Sequence, residues 1–425
     1  MKEDFLHYIW KLKKFDTSNL KTSNNERVEI VSVGSHNLNS GPDFFNAQLR
    51  IDAQLWAGNV EAHIKSSDWF VHNHEIDPAY DNVILHVVWE HDTEVFRKDN
   101  TRIPTVEIKK YVSKQTMDNY KKLFSSSNTW INCENDFESV DDFTISNWLE
   151  RLYFDRLERK SREIEKFLST SSNNWEAVLF KMLSRNFGLK VNGDSFLSLA
   201  NSIDFSIIRK QRSSLTSLEA LLFGQAGLLE EDIQEPYFFK LQNEYRFLKL
   251  KFSLSNANVS PLQFFRLRPL NFPTIRLSQL AGLYHRHQNL FSGIIETDSV
   301  EDFYGLLKVG TTSFWETHYT FGKTSKYTKK VITKSFIDLL LVNSIIPIKF
   351  SYAKHQGKNN EGVIQNLIGG IASEKNSIVE KFNGLKSVSR SALHSQALIQ
   401  LKNEYCEKNK CLQCAIGSSI LTRNV

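Results

Sequence analysis

Seven consecutive residues, Val83 to Trp89 (VILHVVW), constrain this chain more than any other stretch. The run is continuous, rich in β-branched residues and bounded by turn signals. It fits a strand buried on both faces, as in the middle of a sheet covered by helices. The neighbouring segments supply the rest of such a domain. Residues 1–15 predict a helix with Phe5, Tyr8, Ile9 and Leu12 on one stripe, and 27–34, 43–51 and 55–65 predict three strands. The polar loop 35–40 and a Gly41-Pro42 turn separate the first two of these. Residues 68–80 predict a short helix stopped before Pro78, and 103–109 a last short strand. The expectation is an α/β domain over 1–115, with a helix and a mixed sheet of about five strands.

The pattern then changes. Residues 124–150 carry six carboxylates and no Lys or Arg, which predicts an acidic linker over 116–145. From there Trp148, Leu152, Phe154, Leu157, Ile164 and Phe167 recur at helical spacing. Further helices are expected near 174–187, 214–229, 236–253, 276–290 and 330–342, making 146–400 a helical, partly basic domain, followed by a Cys-rich tail over 401–425. A hydrophobic fraction of 41% and a charged fraction of 24% fit a globular protein. The longest apolar run, Phe336 to Ile346, carries Asp338 and Asn343 and is expected to stop at Pro347, well short of the roughly 18 residues of a membrane span. With no secretory pattern at the N-terminus, the expected compartment is the cytoplasm, without membrane association.

Strand parity points to a site. On 55–65, Val60, Ala62 and Ile64 face a core, while Glu61, His63 and Lys65 face the other way. On 43–51, strict alternation groups Asp43 with Phe45, Ala47, Leu49 and Ile51, so Asp43 has to reach out from the start of its strand. Pairing the two strands as a hairpin sets position 43 opposite roughly 61–63. Two adjacent carboxylates repel unless a cation lies between them. Mg²⁺ or Mn²⁺ bound by Asp43 and Glu61 would polarise a phosphoryl oxygen and activate a water, with His63 or Lys65 positioning that water or stabilising charge.

Gly41-Pro42-Asp43, seventeen residues, then Glu61-Ala62-His63 resembles the signature of the PD-(D/E)XK nucleases, and the predicted element order is similar to their restriction-endonuclease-like fold. The chain departs from the pattern where His63 replaces the motif lysine; Lys65 is the nearest lysine on that face. The resemblance covers about a quarter of the chain and implies metal-dependent phosphodiester hydrolysis. The whole chain also resembles the bacterial domain-of-unknown-function 2851 family, through Gly41-Pro42-Asp43-Phe44, Gly58-Asn59-Val60-Glu61-Ala62-His63, Asp68-Trp69, Leu85-His86-Val87-Val88 and the Cys-rich tail. That second resemblance implies no activity.

Three other features bear on function. Six of the twelve histidines fall between 36 and 91. His63, His72 or His74 with Asp43 or Glu61 would suit Zn²⁺, whereas His86 reads as a satisfied core residue, His91 as a surface one, and His36 as a loop residue within reach of a substrate. Cys406-x4-Cys411-x2-Cys414, with Cys133 as a fourth ligand or His394 after it, predicts a structural Zn²⁺ or Fe–S site. From Arg246 to Ile295 there is no acidic residue, and Arg266, Arg268, Arg276 and Arg286 stand among aromatics; a second run, 323–358, has eight lysines against Asp338. Both predict a nucleic-acid-binding surface. The resulting expectation is a nuclease-like phosphodiesterase. The alternatives are a non-catalytic nucleic-acid-binding protein on that fold and a Zn hydrolase with another substrate.

Overall fold

The computed structural model describes residues 1–125 and 129–423. The chain divides into two compact units: one comprises 1–148, 381–388 and the chain from 399 onward, the other 149–380 and 389–398.

The first unit opens with helix α1 (Glu3–Lys11). Strands β1 (Val28–Ser32), β2 (Ser35–His36), β3 (Phe44–Ile51) and β4 (Gln54–Lys65) follow, then helix α2 (Asp68–Val71), strands β5 (Val83–Glu90) and β6 (Thr105–Glu107), and helix α3 (Lys114–Ser125). The sheet runs β1-β3-β4-β5-β6, with β2 paired to β3 off this path. The β1–β3–β4 part is antiparallel, and β4–β5–β6 is parallel. This is the mixed sheet with its helix that the apolar run at 83–89 required. The pair at 35–36 had read as loop, being too short and polar to show a period.

Phe5, Leu6, Ile9 and Trp10 of α1 are fully buried and join Val60, Ala62, Leu85 and Val87 in one core. Their i, i+1, i+4, i+5 spacing puts them on one helical stripe, and alternation puts the strand residues on one sheet face. On the opposite face a smaller apolar group gathers Trp69, Tyr80, Val83, Val95 and Ile103.

Register between β3 and β4 holds a β-bulge. Phe44 stands opposite Val60, but Ala47 stands opposite Gly58, one residue out of step. Asn46 occupies the left-handed region, with φ 56°, and its amide reaches Asn59 Oδ1 at 3.3 Å. The extra residue lets Phe44 and Ala47 both point into the core, where both are fully buried. Strict alternation had assigned Asp43 to the core face. The bulge reverses that assignment, so Asp43 stands beside Glu61 on the face carrying His63.

The stretch read as a linker is structured. It contains α3, whose Tyr120 and Leu123 belong to the sheet's core, and a 3₁₀ turn at Phe137–Ser139; residues 126–128 of it lie outside the described residues. Helix α4 (Asp142–Thr170) follows. The tail also belongs to this unit. Its helix Ala415–Leu421 packs on α3, where Asn119 Nδ2 donates to the carbonyls of Ile420 and Leu421 at 3.3 Å.

The second unit is mainly helical. The predicted helices occur at Trp175–Phe187, Leu215–Gln225, Pro236–Lys251, Pro273–Arg286 and Lys334–Leu340. Short helices such as Leu189–Asn201 and Val300–Leu307, and the two-stranded sheet His318–Thr320 with Lys323–Thr324, had no clear period in the sequence. Leu215–Gln225 and Pro236–Lys251 approach so closely that a Cβ on Gly224 would lie 2.1 Å from the Tyr245 ring. Only glycine fits there.

Pro347 does not stop its helix. A π-helical turn, Leu341–Ile345, links Lys334–Leu340 to Ile346–His355. Proline clashes with the carbonyl four residues back and cannot bond it. Here that carbonyl belongs to Asn343, and the Lys160 ammonium donates to it at 3.4 Å. The resulting 22-residue helix is long and apolar enough to span a bilayer by length and composition, but 78% of its most apolar window is buried inside the protein.

Candidate metal centre

Asp43 and Glu61 hold each other through the backbone. The Asp43 amide donates to Glu61 Oε2 at 3.0 Å, and the Ala62 amide donates to Asp43 Oδ2 at 3.0 Å. Each carboxylate thus satisfies a strand-edge N–H beside its partner. This reciprocal clasp is possible because the bulge sets position 43 level with 61.

Three imidazoles complete the group. Glu61 Oε1 lies 3.5 Å from His63 Nε2 and 3.4 Å from His74 Nε2, and His63 Nε2 lies 3.1 Å from His72 Nδ1. One nitrogen from each of His63, His72 and His74 falls within a common 4.8 Å. His63 reaches the site by strand parity, two residues after Glu61. His72 and His74 reach it because α2 ends at Val71 and Asn73 takes a left-handed φ of 58°. That reversal brings together two side chains that a helix would have splayed apart. Tyr80 stacks on the His74 ring at 3.7 Å, and Trp69 meets it edge-on at 5.3 Å.

The electrostatics follow from burial. Glu61 is 5% exposed, and desolvation together with the neighbouring Asp43 carboxylate pushes its carboxyl up to about 9. His63 is 1% exposed, and burial among His74, His72 and His7 pulls its imidazole down to about 3. It is therefore neutral, with a lone pair to offer. His63 Nδ1 lies 2.8 Å from His86 Nε2, and the buried His86 Nδ1 has no hydrogen-bond partner. His86 is the buried core residue of the sequence reading, bonded to His63 through Nε2 but left without a partner at Nδ1.

His7 escaped the sequence reading. Its Nε2 lies 3.0 Å from Asp43 Oδ2. Burial opposes its charged form, yet the hydrogen bond and charge of Asp43 raise its pKa above the ordinary histidine value. Burial and the Asp43 charge also raise the carboxyl of Glu3. The available signal was their i, i+4 spacing, which puts Glu3 and His7 on one polar stripe of α1 opposite the apolar one.

Donor atoms 3.4–3.5 Å apart fit a small divalent ion between them. Bonds of 2.0–2.1 Å in tetrahedral arrangement place donors about 3.3 Å apart. Glu61, His63 and His74 would hold it, with His72 at the exposed edge and Asp43 adjacent.

Other predicted residues fall elsewhere. Lys65 shares the face of Glu61 and His63 but is exposed at the end of β4, and among the described residues it forms no ion pair with either carboxylate. His36 stacks on Phe44 at 5.0 Å and lies 5.4 Å from His7, and His91 pairs with Glu94 at 3.3 Å. Arg276 is not on the surface. It is 7% exposed, its Nη1 donates to Gln279 Oε1 at 2.8 Å and its Nη2 to Asn271 Oδ1 at 2.6 Å, and its guanidinium lies 3.6 Å from the Phe336 ring centre. Helical periodicity could not separate this buried arginine from the exposed Arg266, Arg268 and Arg286. Cys133, Cys406, Cys411 and Cys414 line one cavity. His394 belongs to the other unit, where its Nδ1 lies 3.0 Å from Ser391 Oγ.

With the fold and this site in view, comparison with known proteins identifies a family. The pattern of the family described as "Protein of unknown function (DUF2851)" matches residues 3–377. The chain belongs to that family. Every residue of the carboxylate–histidine group lies within the match, and so does Cys133, whereas the three tail cysteines lie beyond it. No curated protein and no solved structure matches the chain.

Proposed function

We propose that the DUF2851 chain is a metal-dependent phosphodiesterase acting on nucleic acid, with a divalent ion held by Glu61, His63 and His74 beside Asp43. The observation that carries this reading is the clasp between Asp43 and Glu61, which fixes two carboxylates side by side in a site ringed by the imidazoles of His63, His72 and His74. A divalent ion there supplies polarisation of a phosphoryl oxygen and a more acidic bound water. The protein's own groups do the remaining work. The clasp orients both carboxylates, His86 fixes the His63 ring, and His7, whose charged form the Asp43 carboxylate favours, is the proton donor at that end of the site. The Asp43-x17-Glu61 spacing and the order of one helix, four strands (one of them two residues long), a short helix and two strands support a PD-(D/E)XK likeness, and with it a phosphodiester substrate. The exposed Arg266, Arg268 and Arg286 support a polyanionic one.

One observation favours a second reading. The close donor set is mainly imidazole, which suits Zn²⁺ better than Mg²⁺, and His63 is too buried and too weakly basic to replace the charge of a motif lysine. A Zn hydrolase with a substrate other than nucleic acid follows from that. To separate the two, the full chain is incubated with labelled single- and double-stranded DNA and RNA and with a simple phosphodiester, with Mg²⁺, Mn²⁺ or Zn²⁺, beside Glu61→Gln. Cleavage of nucleic acid by the wild type alone supports the phosphodiesterase. Zinc retained through dialysis, with no cleavage of any phosphodiester, favours the second reading. Nucleic-acid binding without cleavage leaves a non-catalytic binding protein.

A further inference from the structure

The chain contains four cysteines among 425 residues. All four line the same cavity of the first unit, although one stands at 133 and the others at 406, 411 and 414. The remaining walls are Ile131, Asn132, Phe137, Phe382, Leu401, Tyr405, Ile416 and Gly417. Three of them share one short segment, but Cys133 lies far from it in sequence, so local spacing alone does not explain why all four meet at one hollow. All four thiols are free.

The surroundings are those of a sulfur-ligated centre. Asn132 Nδ2 donates to Cys411 Sγ at 3.5 Å, and the amides of Ile416 and Gly417 hydrogen-bond the Cys414 sulfur. N–H groups aimed at sulfur stabilise thiolate ligands and set the properties of the metal they hold. A Cβ on Gly417 would lie 2.2 Å from the Cys411 carbonyl oxygen, so glycine is what lets the segment carrying Cys411 close over the helix that follows Cys414. Lys381 and Lys402 place their ammonium groups 5.2 and 5.3 Å from the ring centre of Trp130, three residues before Cys133, which supplies positive charge beside a site of anionic ligands.

We propose that Cys133, Cys406, Cys411 and Cys414 ligate an iron–sulfur cluster that fastens the end of the chain to the sheet-bearing unit. An all-thiolate ligand set with N–H groups directed at its sulfurs and lysines nearby suits such a cluster, and a single zinc ion on the same four sulfurs is the outcome that the metal count separates from it. Assembly is ligand exchange with a thiolate-ligated iron–sulfur donor: four S–H bonds here and four Fe–S bonds to the donor break, four Fe–S bonds form here, and the four protons pass to the donor's departing thiolates. No electron is transferred. The four ligand positions are filled by protein, so the role is structural. The centre is independent of the carboxylate–histidine site.

The test uses the full chain purified without oxygen. Iron, zinc and acid-labile sulfide are counted per chain, and the visible absorption is recorded. The expected result is about four irons and four sulfides per chain with a broad visible charge-transfer band. Cys133→Ser should lose most of the iron, Gly417→Ala a part of it, and His74→Ala none. Wild-type protein that carries no iron, or one zinc per chain in its place, overturns the proposal. If Cys133→Ser does not fold, thiol labelling of the wild type decides. Four thiols blocked until the cluster is oxidatively destroyed support the centre, and four thiols open from the start refute it.

Discussion

The first unit holds two donor groups built in opposite ways. The carboxylate–histidine group draws its donors from 43 to 74, and strand register assembles it. The thiol group joins residue 133 to 406, 411 and 414, and only the return of the chain end assembles it. The first group is closed to within 4.8 Å by its histidines; the second surrounds a hollow. A site made by register inherits the precision of the sheet, and a bulge moves it. A site made by chain return depends on the whole unit having folded, and its ligands can only meet late.

The comparison breaks most sharply at Glu61. Glu61→Gln should lower phosphodiester cleavage by about 10³-fold, through loss of metal binding and of charge at the reacting centre, while iron at the cysteines stays unchanged. Parallel loss of both metals, read by elemental analysis, would contradict the independence of the two groups. His86→Gln comes next. As the partner of a ligand rather than a ligand, it should weaken metal binding by roughly 10–100-fold in equilibrium dialysis without changing the fold. An unchanged affinity would remove His86 from the site. Asn46 tests the role of register. Asn46→Val forces a β-branched residue into a left-handed backbone and should cost about 1–3 kcal/mol by denaturant unfolding. It should also loosen metal binding, whereas Asn46→Gly should preserve both. A valine variant with wild-type stability and affinity would show that the bulge does not set the position of Asp43.

The smallest effect is expected outside both groups, at Lys160. Burial and Arg156 pull its ammonium down to about 7. Between there and the ordinary lysine value, the unfolded chain carries a proton that the folded one has released. Stability therefore rises with pH across that window and levels off below it. Lys160→Met should flatten that rise by less than about 1 kcal/mol per pH unit, read as urea midpoints between pH 7 and 10, and leave both metals in place. A rise of equal slope in the variant would assign it to other groups.

Much of the sheet was legible because its period is short and its apolar residues are strong. The 83–89 run and the Val60/Ala62 alternation located the central strands, and parity set Glu61 and His63 on the sheet face opposite Val60 and Ala62. The placement of Asp43 was less legible, because parity holds only while register holds, and the one residue that breaks it is an ordinary asparagine in a strand-like stretch. His72 and His74 depended in the same way on the left-handed turn at Asn73. Pro347 looked like a stop because proline normally costs a hydrogen bond, and the lysine that compensates lies far away in sequence. Arg276 looked like surface because burial of a charge is set by partners that no local pattern reveals.

The histidines of the site grade from buried His63 through half-buried His74 to exposed His72. His63 is welded into the sheet, while His72 and His74 ride on a reversal that follows a four-residue helix. The coordination sphere proposed for this site would therefore have a stationary jaw and a hinged one. Ion exchange would proceed by opening the 68–80 segment alone, so the rate of metal loss should track the local opening of that segment, seen in amide hydrogen exchange, and not the global stability of the unit.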